Sequence, residues 1–296
     1  MNKSLFSKMS GLVLAIALSI AAAVPTFAMT STGYFQGEEL MMLSNSSESQ
    51  MMGFVLTTAN GAVIVIDGGT PADAPHLREE IAKRGNHVSA WFITHPHSDH
   101  GGAFAQIVEE GLNGMTVDAV IYNFTDPAWY QANEEYRADT VERIRAAVLS
   151  FGDKAHVMHR NDIFVFDTAV ITCMNDPYLV SGNSINNSSC ALRVQMGGQT
   201  IMFLGDMGED VGNMFLADHA GENLKCDMVQ MAHHGQAGVG YEFYRALAPT
   251  SCLWCAPAWL YEDYYGKYRT KETRGWMESL GVRKHFVIKD GDQIIR

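Results

Sequence analysis

Residues 94–102 read THPHSDHGG, which sets His95, His97, Asp99 and His100 within one short loop. Imidazole nitrogen mixed with carboxylate oxygen is a donor set suited first to Zn2+, and also to Mn2+ or Fe2+. One loop cannot enclose an ion, so partners must come from elsewhere in the chain. Asp206 follows the apolar run IMFL, which leaves a carboxylate at the end of a buried strand where a cation would neutralise it. His233 and His234 end a second apolar run, DMVQMAHHG, just before Gly235. One of this pair reads as a ligand and the other as its supporting neighbour. Of the 11 histidines, five fall in these two motifs, too strong a concentration for a solvated loop.

The elements that must carry these loops are short apolar segments. AVIVIDGG (62–69), AWFITHPH (90–97), TIMFLGD (200–206) and DMVQMAHHG (227–235) each read as a buried strand that delivers polar residues at its carboxyl end. Helix-like stretches lie between them: APHLREEIAKRG, AFAQIVEEG, one long AWYQANEEYRADTVERIRAAVLSFG, YEFYRALAP and KETRGWMESLG. Further strands are predicted at AVIYN, IFVF, AVITCM, CALRVQM, HFVIKD and QII, several joined by turns such as GGQ and DGD. Hairpin strands thus mix with helix-linked strands, which predicts an α/β architecture of two mixed sheets packed together with helices outside. No linker and no repeat divides residues 33–296, which reads as one domain.

HPHSDHGG, FLGD and AHHG, in this order and after VIDGG, resemble the metallo-β-lactamase-fold hydrolase superfamily. The resemblance spans most of 33–296 and implies a four-layer αβ/βα sandwich with metals at one edge, with residues 29–296 as the hydrolase-like domain. It implies that His95 and His97 hold a first metal, that Asp99, His100 and His233 hold a second, and that Asp206 bridges both. Asp67 matches the aspartate that orders the metal loop. The third histidine usual for the first metal is absent from VSGNSINNSSCALRVQMGGQTIMFLGD, where Asn187 or Ser189 could fill part of the position. This version resembles the branch that holds the nuclease-like domain of competence DNA-uptake proteins and secreted phosphorylcholine-esterase-like enzymes.

The implied chemistry is hydrolysis by a metal-bound hydroxide, with two Zn2+ as cofactors, Asp99 able to shuttle a proton and His234 able to steady a leaving oxygen. A small-molecule ester or phosphodiester is the substrate class. The alternative is an exported metal- or ligand-binding module of the same fold without turnover, with lactonase or β-lactamase activity behind both. The aromatic segments NFTDPAWY and APAWLYEDYYGKY could take an apolar acyl group, a sugar or a quaternary ammonium, or could simply pack.

Composition narrows the setting. With 296 residues, 47% hydrophobic and 18% charged, the chain is globular in type. Its start, MNKSLFSKMSGLVLAIALSIAAAVPTFA, has two lysines before an apolar run and a small-residue site at Ala28, the pattern of a signal peptide over 1–28. Export to the cell envelope or beyond follows, and no later apolar run is long enough to span a bilayer. Removing 1–28 takes away two of the 21 basic residues and no acid, which leaves 19 against 33, or −14. So acidic a chain without a Lys/Arg run is not built for tight nucleic-acid binding. The cysteine count, five, is odd, and the thiols read as buried apolar groups rather than a disulfide framework.

Overall fold

A computed structural model describes residues 28–296. The predicted leader, apart from Ala28, lies outside the described residues. An eight-stranded sheet runs, edge to edge, through Met29–Ser31, Gln293–Ile295, Glu39–Met42, Gly53–Thr57, Val63–Asp67, Ala90–Ile93, Val120–Tyr122 and Ala155–Val157. A seven-stranded sheet runs through Ile163–Phe166, Ala169–Cys173, Leu192–Met196, Gln199–Phe203, Met228–Gln230, Ser251–Trp254 and Lys284–Val287. Both are mixed, as the sequence predicts. The last four strands of each order run parallel to one another, whereas hairpins join Glu39–Met42, Gly53–Thr57 and Val63–Asp67 in one sheet and Ile163–Phe166 and Ala169–Cys173, and Leu192–Met196 and Gln199–Phe203, in the other. The GG turn between Leu192–Met196 and Gln199–Phe203 has φ of 55° at Gly197 and 79° at Gly198, the positive pair that a two-residue hairpin requires.

Strand composition explains the layering. VIVID and AWFI are buried at every position, because these parallel strands are covered on both faces. One core fills the space between the sheets and beneath the helices Ala74–Lys83, Ser98–Glu109 and Ala138–Leu149. There Phe54 of the first sheet meets Phe203 of the second edge to face, with ring centroids 4.9 Å apart. A second core lies between the seven-stranded sheet and the helices Glu209–Asp218, Tyr241–Leu247 and Thr270–Ser279. All five cysteines are buried and unbridged. Among the described residues, no helix is long and apolar enough to cross a membrane.

One predicted element is different. The stretch 128–152 is not a single helix: Pro127–Asn133 and Ala138–Leu149 are separated at Glu134, where φ is −148° and ψ is 56°. Helix propensity favours continuation there. The Glu134 side chain instead turns inward and accepts hydrogen bonds from the Ile185 N–H (2.7 Å) and Ser184 Oγ (2.9 Å), so tertiary contacts override the local preference.

Away from the histidine loop, a polar clip ties the strand Gln293–Ile295 to the body. Asp292 Oδ1 accepts from the Ser44 N–H (2.7 Å) and Ser44 Oγ (2.8 Å) and pairs with His76 Nε2 at 3.0 Å. Glu80, one helical turn after His76, is already matched by Arg84 and Lys83, so the His76, Glu80 and Asp292 group is accounted for by its own ion pairs. Hydrogen bonding to Asp292 raises the His76 pKa above its ordinary 6.5 against the pull of burial. The clip therefore stabilises fully below pH 6.5 and loses that contribution as pH rises through the raised value.

Two stability tests follow. Phe203→Ala should cost about 3–5 kcal/mol, read from the urea midpoint. His76→Gln should destabilise most between the ordinary carboxylate pKa and pH 6.5, with a penalty that shrinks at higher pH; a constant penalty would mean that the pair is not ionic.

Candidate metal centre

The parallel strands place their carboxyl ends along one edge of the two sheets, and the four predicted loops meet there. Asp67 ends the first of them in the left-handed region, φ 56°, and is fully buried. Its Oδ1 accepts from the Thr94 N–H and its Oδ2 from Thr94 Oγ1, both at 2.8 Å, while Oδ2 also holds His100 Nδ1 at 2.7 Å. The indole N–H of Trp91 donates to the Asp67 carbonyl at 2.7 Å. The aspartate thus fixes the start of the loop and the ring plane of one histidine.

His97 caps the helix Ser98–Glu109, which swings Asp99 and His100 into its first turn on the same side as His95. Asp206 arrives from the facing sheet after Gly205, whose φ of 56° and lack of a side chain let Ser189 Oγ approach; a Cβ there would lie 2.7 Å from that oxygen. Ser189 Oγ accepts from the Asp206 N–H at 3.0 Å.

Two groups of donors result. Asp99, His100, Asp206 and His234 form one, and His95, His97 and Asp206 form the other, with the donor atoms in each within 4.8 Å of one another. Asp206 belongs to both. Its Oδ1 is 3.2 Å from His100 Nε2, and its Oδ2 is 3.4 Å from His234 Nε2 and 3.9 Å from His95 Nε2. Yet His95, His100 and His234 Nε2 and Asp206 Oδ1 are all buried without a properly directed hydrogen bond. Orphaned buried atoms of this kind cost free energy one by one, and the four on His95, His100, His234 and Asp206 fit a site built to be completed by cations.

The geometry reverses one assignment. The resemblance implies His233 for the second metal and leaves His234 to a leaving oxygen, but His234 is the residue in the donor group and His233 lies outside both groups. Both adopt left-handed backbone, φ 51° and 58°, so their side chains diverge. The Cys255 carbonyl anchors His234 Nδ1 at 2.9 Å and turns its Nε2 inward. His233 sits at the rim, with Nε2 4.0 Å from Asp206 Oδ2 and 3.1 Å from Asn186 Nδ2. Nor do Asn187 and Ser189 stand in for the missing histidine. Asn187 is committed to the Gly182 carbonyl and the Gly208 N–H, and Ser189 to Asp206. Asn186, unremarked in the sequence, is the residue of this segment that faces the centre, and its buried Oδ1 lacks a partner. Gln50 was equally illegible: its amide donates to Asp99 Oδ2 at 3.1 Å and accepts from Gln236 at 3.0 Å.

Charge in the centre is balanced by protons when no cation is bound. Burial pushes His95 well below 6.5, and pushes His97 down as well. Burial would also lower His100, but Asp206 and Asp67 outweigh it and hold His100 well above 6.5. His234 is raised in the same way, to about 9, by Asp206 and Asp99 against its burial. Both carboxylates, Asp99 and Asp206, stay well below the ordinary range despite burial because these imidazolium charges face them. A cation must displace those protons. Zinc affinity should therefore rise between pH 6 and 9 by about tenfold per pH unit for each proton displaced, as read by competition with a chromophoric chelator. His234→Ala should abolish one ion per chain by elemental analysis, whereas His233→Ala should keep it; equal losses would refute the reversed assignment.

Residues 53–248 match the family described as the metallo-beta-lactamase superfamily. No curated protein matches the chain. Among solved structures, the metallo-beta-lactamase fold protein YhfI from Bacillus subtilis superposes with a TM-score of 0.53 at 12% identity, over 87% of this chain and 99% of that one. CmlA, a diiron beta-hydroxylase from Streptomyces venezuelae, superposes with a TM-score of 0.55 at 12% identity, over 88% of this chain and 54% of that one. At these identities the likeness is one of fold. Together with the loops that converge on Asp206, the match over 53–248 identifies the chain as a member of the metallo-beta-lactamase superfamily.

Proposed function

We propose that this protein is an exported, metal-dependent hydrolase of small esters or phosphodiesters that works with two zinc ions. The observation that carries the reading is the pair of donor groups sharing Asp206, with four buried donor atoms, on His95, His100, His234 and Asp206, left without hydrogen bonds. His95, His97 and Asp206 would hold one ion, and Asp99, His100, His234 and Asp206 the other. A bound divalent cation lowers the pKa of a coordinated water toward neutrality and polarises the oxygen under attack.

The chain's own residues supply the rest. Asp99 is the most open member of its group, with 19% of its side chain exposed, and Gln50 orients its Oδ2. It is placed to take a proton from water on the open side and pass it outward. His233, at the rim and 16% exposed, accepts at Nε2 from Asn186 Nδ2 and is held neutral by burial, so it would shape the opening and not donate to a leaving oxygen.

The rim supports a substrate with an apolar or cationic group. Trp259 donates its indole N–H to the Glu48 carbonyl at 2.7 Å, two residues from Gln50, which sets an aromatic face near the opening. Tyr136, Tyr264 and Tyr265 are exposed. Such rings attract quaternary ammonium and alkyl groups, whereas a chain of net charge −12 repels polyphosphate.

The test has two parts. Protein purified without chelator or added metal should contain about two zinc ions per chain, and Asp206→Asn should lose metal and turnover together. Against p-nitrophenyl phosphorylcholine, p-nitrophenyl esters and linear DNA, a small substrate should be cleaved fastest. Faster DNA cleavage would sink the substrate class, and full metal content with no turnover on any substrate would favour the binding module. Export is tested by the amino-terminal residue of protein recovered outside the cytoplasm, expected at Met29.

A further inference from the structure

Resting on the metal-dependent reading above, we infer that Glu134 is a positioning residue for His97, acting through the imidazole edge turned away from the cation. Three of the four clustered histidines have such a support. His95 Nδ1 meets Thr94 Oγ1 at 3.1 Å, His100 Nδ1 meets Asp67 at 2.7 Å and His234 Nδ1 meets the Cys255 carbonyl at 2.9 Å. Each of these contacts fixes a ring and selects the nitrogen that faces inward. The buried His97 Nε2 has no hydrogen-bond partner, and a carboxylate oxygen of Glu134, Oε1, lies 3.9 Å from it.

Glu134 is built for this place. It is 7% exposed, and it breaks the predicted helix to get there. Ser184 Oγ and the Ile185 N–H pin its Oε2, and Oε1, which accepts only from Tyr136 Oη at 3.0 Å, is left beside His97. Glu134 lies outside both donor groups, so it approaches the histidine and not the shared centre. A shift of about 1 Å closes 3.9 Å to a charge-assisted hydrogen bond. The segment that anchors it, Ser184–Asn187, is the one in which the usual third histidine is absent. The support therefore falls on the less completely furnished of the two positions.

Apo protein is titrated with zinc against a chromophoric chelator for the wild type, Glu134→Gln and Ser184→Ala, and the His97 Nε2–H proton is followed by NMR in the zinc-loaded forms. The wild type should bind two ions and show a slowly exchanging Nε2–H signal. Glu134→Gln, close in shape but uncharged, should weaken one ion about ten- to a hundredfold, leave the other unchanged and broaden the signal. Ser184→Ala, which breaks a contact of the same carboxylate without touching His97, should stay within about threefold of the wild type for both ions, well short of the loss expected when an outer-shell partner is removed. Three results would overturn the inference: unchanged affinities and signal in Glu134→Gln, an equal loss in Ser184→Ala, or complete loss of one ion, which would make Glu134 a ligand. A wild type that takes up no zinc would overturn the proposed function and this inference with it.

Discussion

A single buried negative charge organises this molecule. Asp206 ends an apolar strand, is 1% exposed, and belongs to both groups of donors. A carboxylate in such a place is tolerated only if positive charge is brought to it. The fold does this with imidazoles from both sheets: His95 and His100 from one, His234 from the other. His100 and His234 carry that charge as protons until a cation replaces it, and in either case the sheets must stay in register across their shared edge. The packing of Phe54 on Phe203 and the clip at Asp292 serve that alignment, although neither touches the centre.

Much of this was legible in the sequence because the strongest signals are local. Apolar runs of β-branched and aromatic residues, cut off by Asp, His or Gly, mark buried strands and the loops at their ends, and the four loaded loops do meet. The doublet at His233 and His234 was not legible. Which neighbour points inward depends on two left-handed residues and on the Cys255 carbonyl, 21 positions downstream. The break at Glu134 was hidden for a related reason. Nothing in QANEEYRAD discourages a helix, and the bonds that stop it come from residues 184 and 185. Asn186 and Gln50 are small polar residues in irregular segments, whose meaning exists only once the fold has set them against His233 and Asp99.

The centre also shows how one fold can change its chemistry at low structural cost. Its inner ring of donors follows directly on the ends of buried strands or lies in the first turn of the helix Ser98–Glu109, whereas Gln50, Glu134, Asn186 and Gln236 reach it from segments around the opening. Substitutions in the second set would alter ring orientation, proton traffic and the shape of the opening without disturbing the sheets. The 12% identity to proteins of the same fold fits such a division of labour.

The strand Gln293–Ile295 lies between Met29–Ser31 and Glu39–Met42, parallel to the former and antiparallel to the latter. The eight-stranded sheet is therefore not continuous until residues some 250 positions apart have met, as the separation of 248 between Ser44 and Asp292 illustrates. Closing so long a loop is entropically slow, and until it closes Met29–Ser31 has no neighbour in the sheet. Partial chains would expose the edge of Glu39–Met42 that Gln293–Ile295 covers in the complete sheet. A sheet wired this way is complete only once residues 29–31, 39–42 and 293–295 lie side by side, so its edge and its covalent order are set by opposite ends of the described chain.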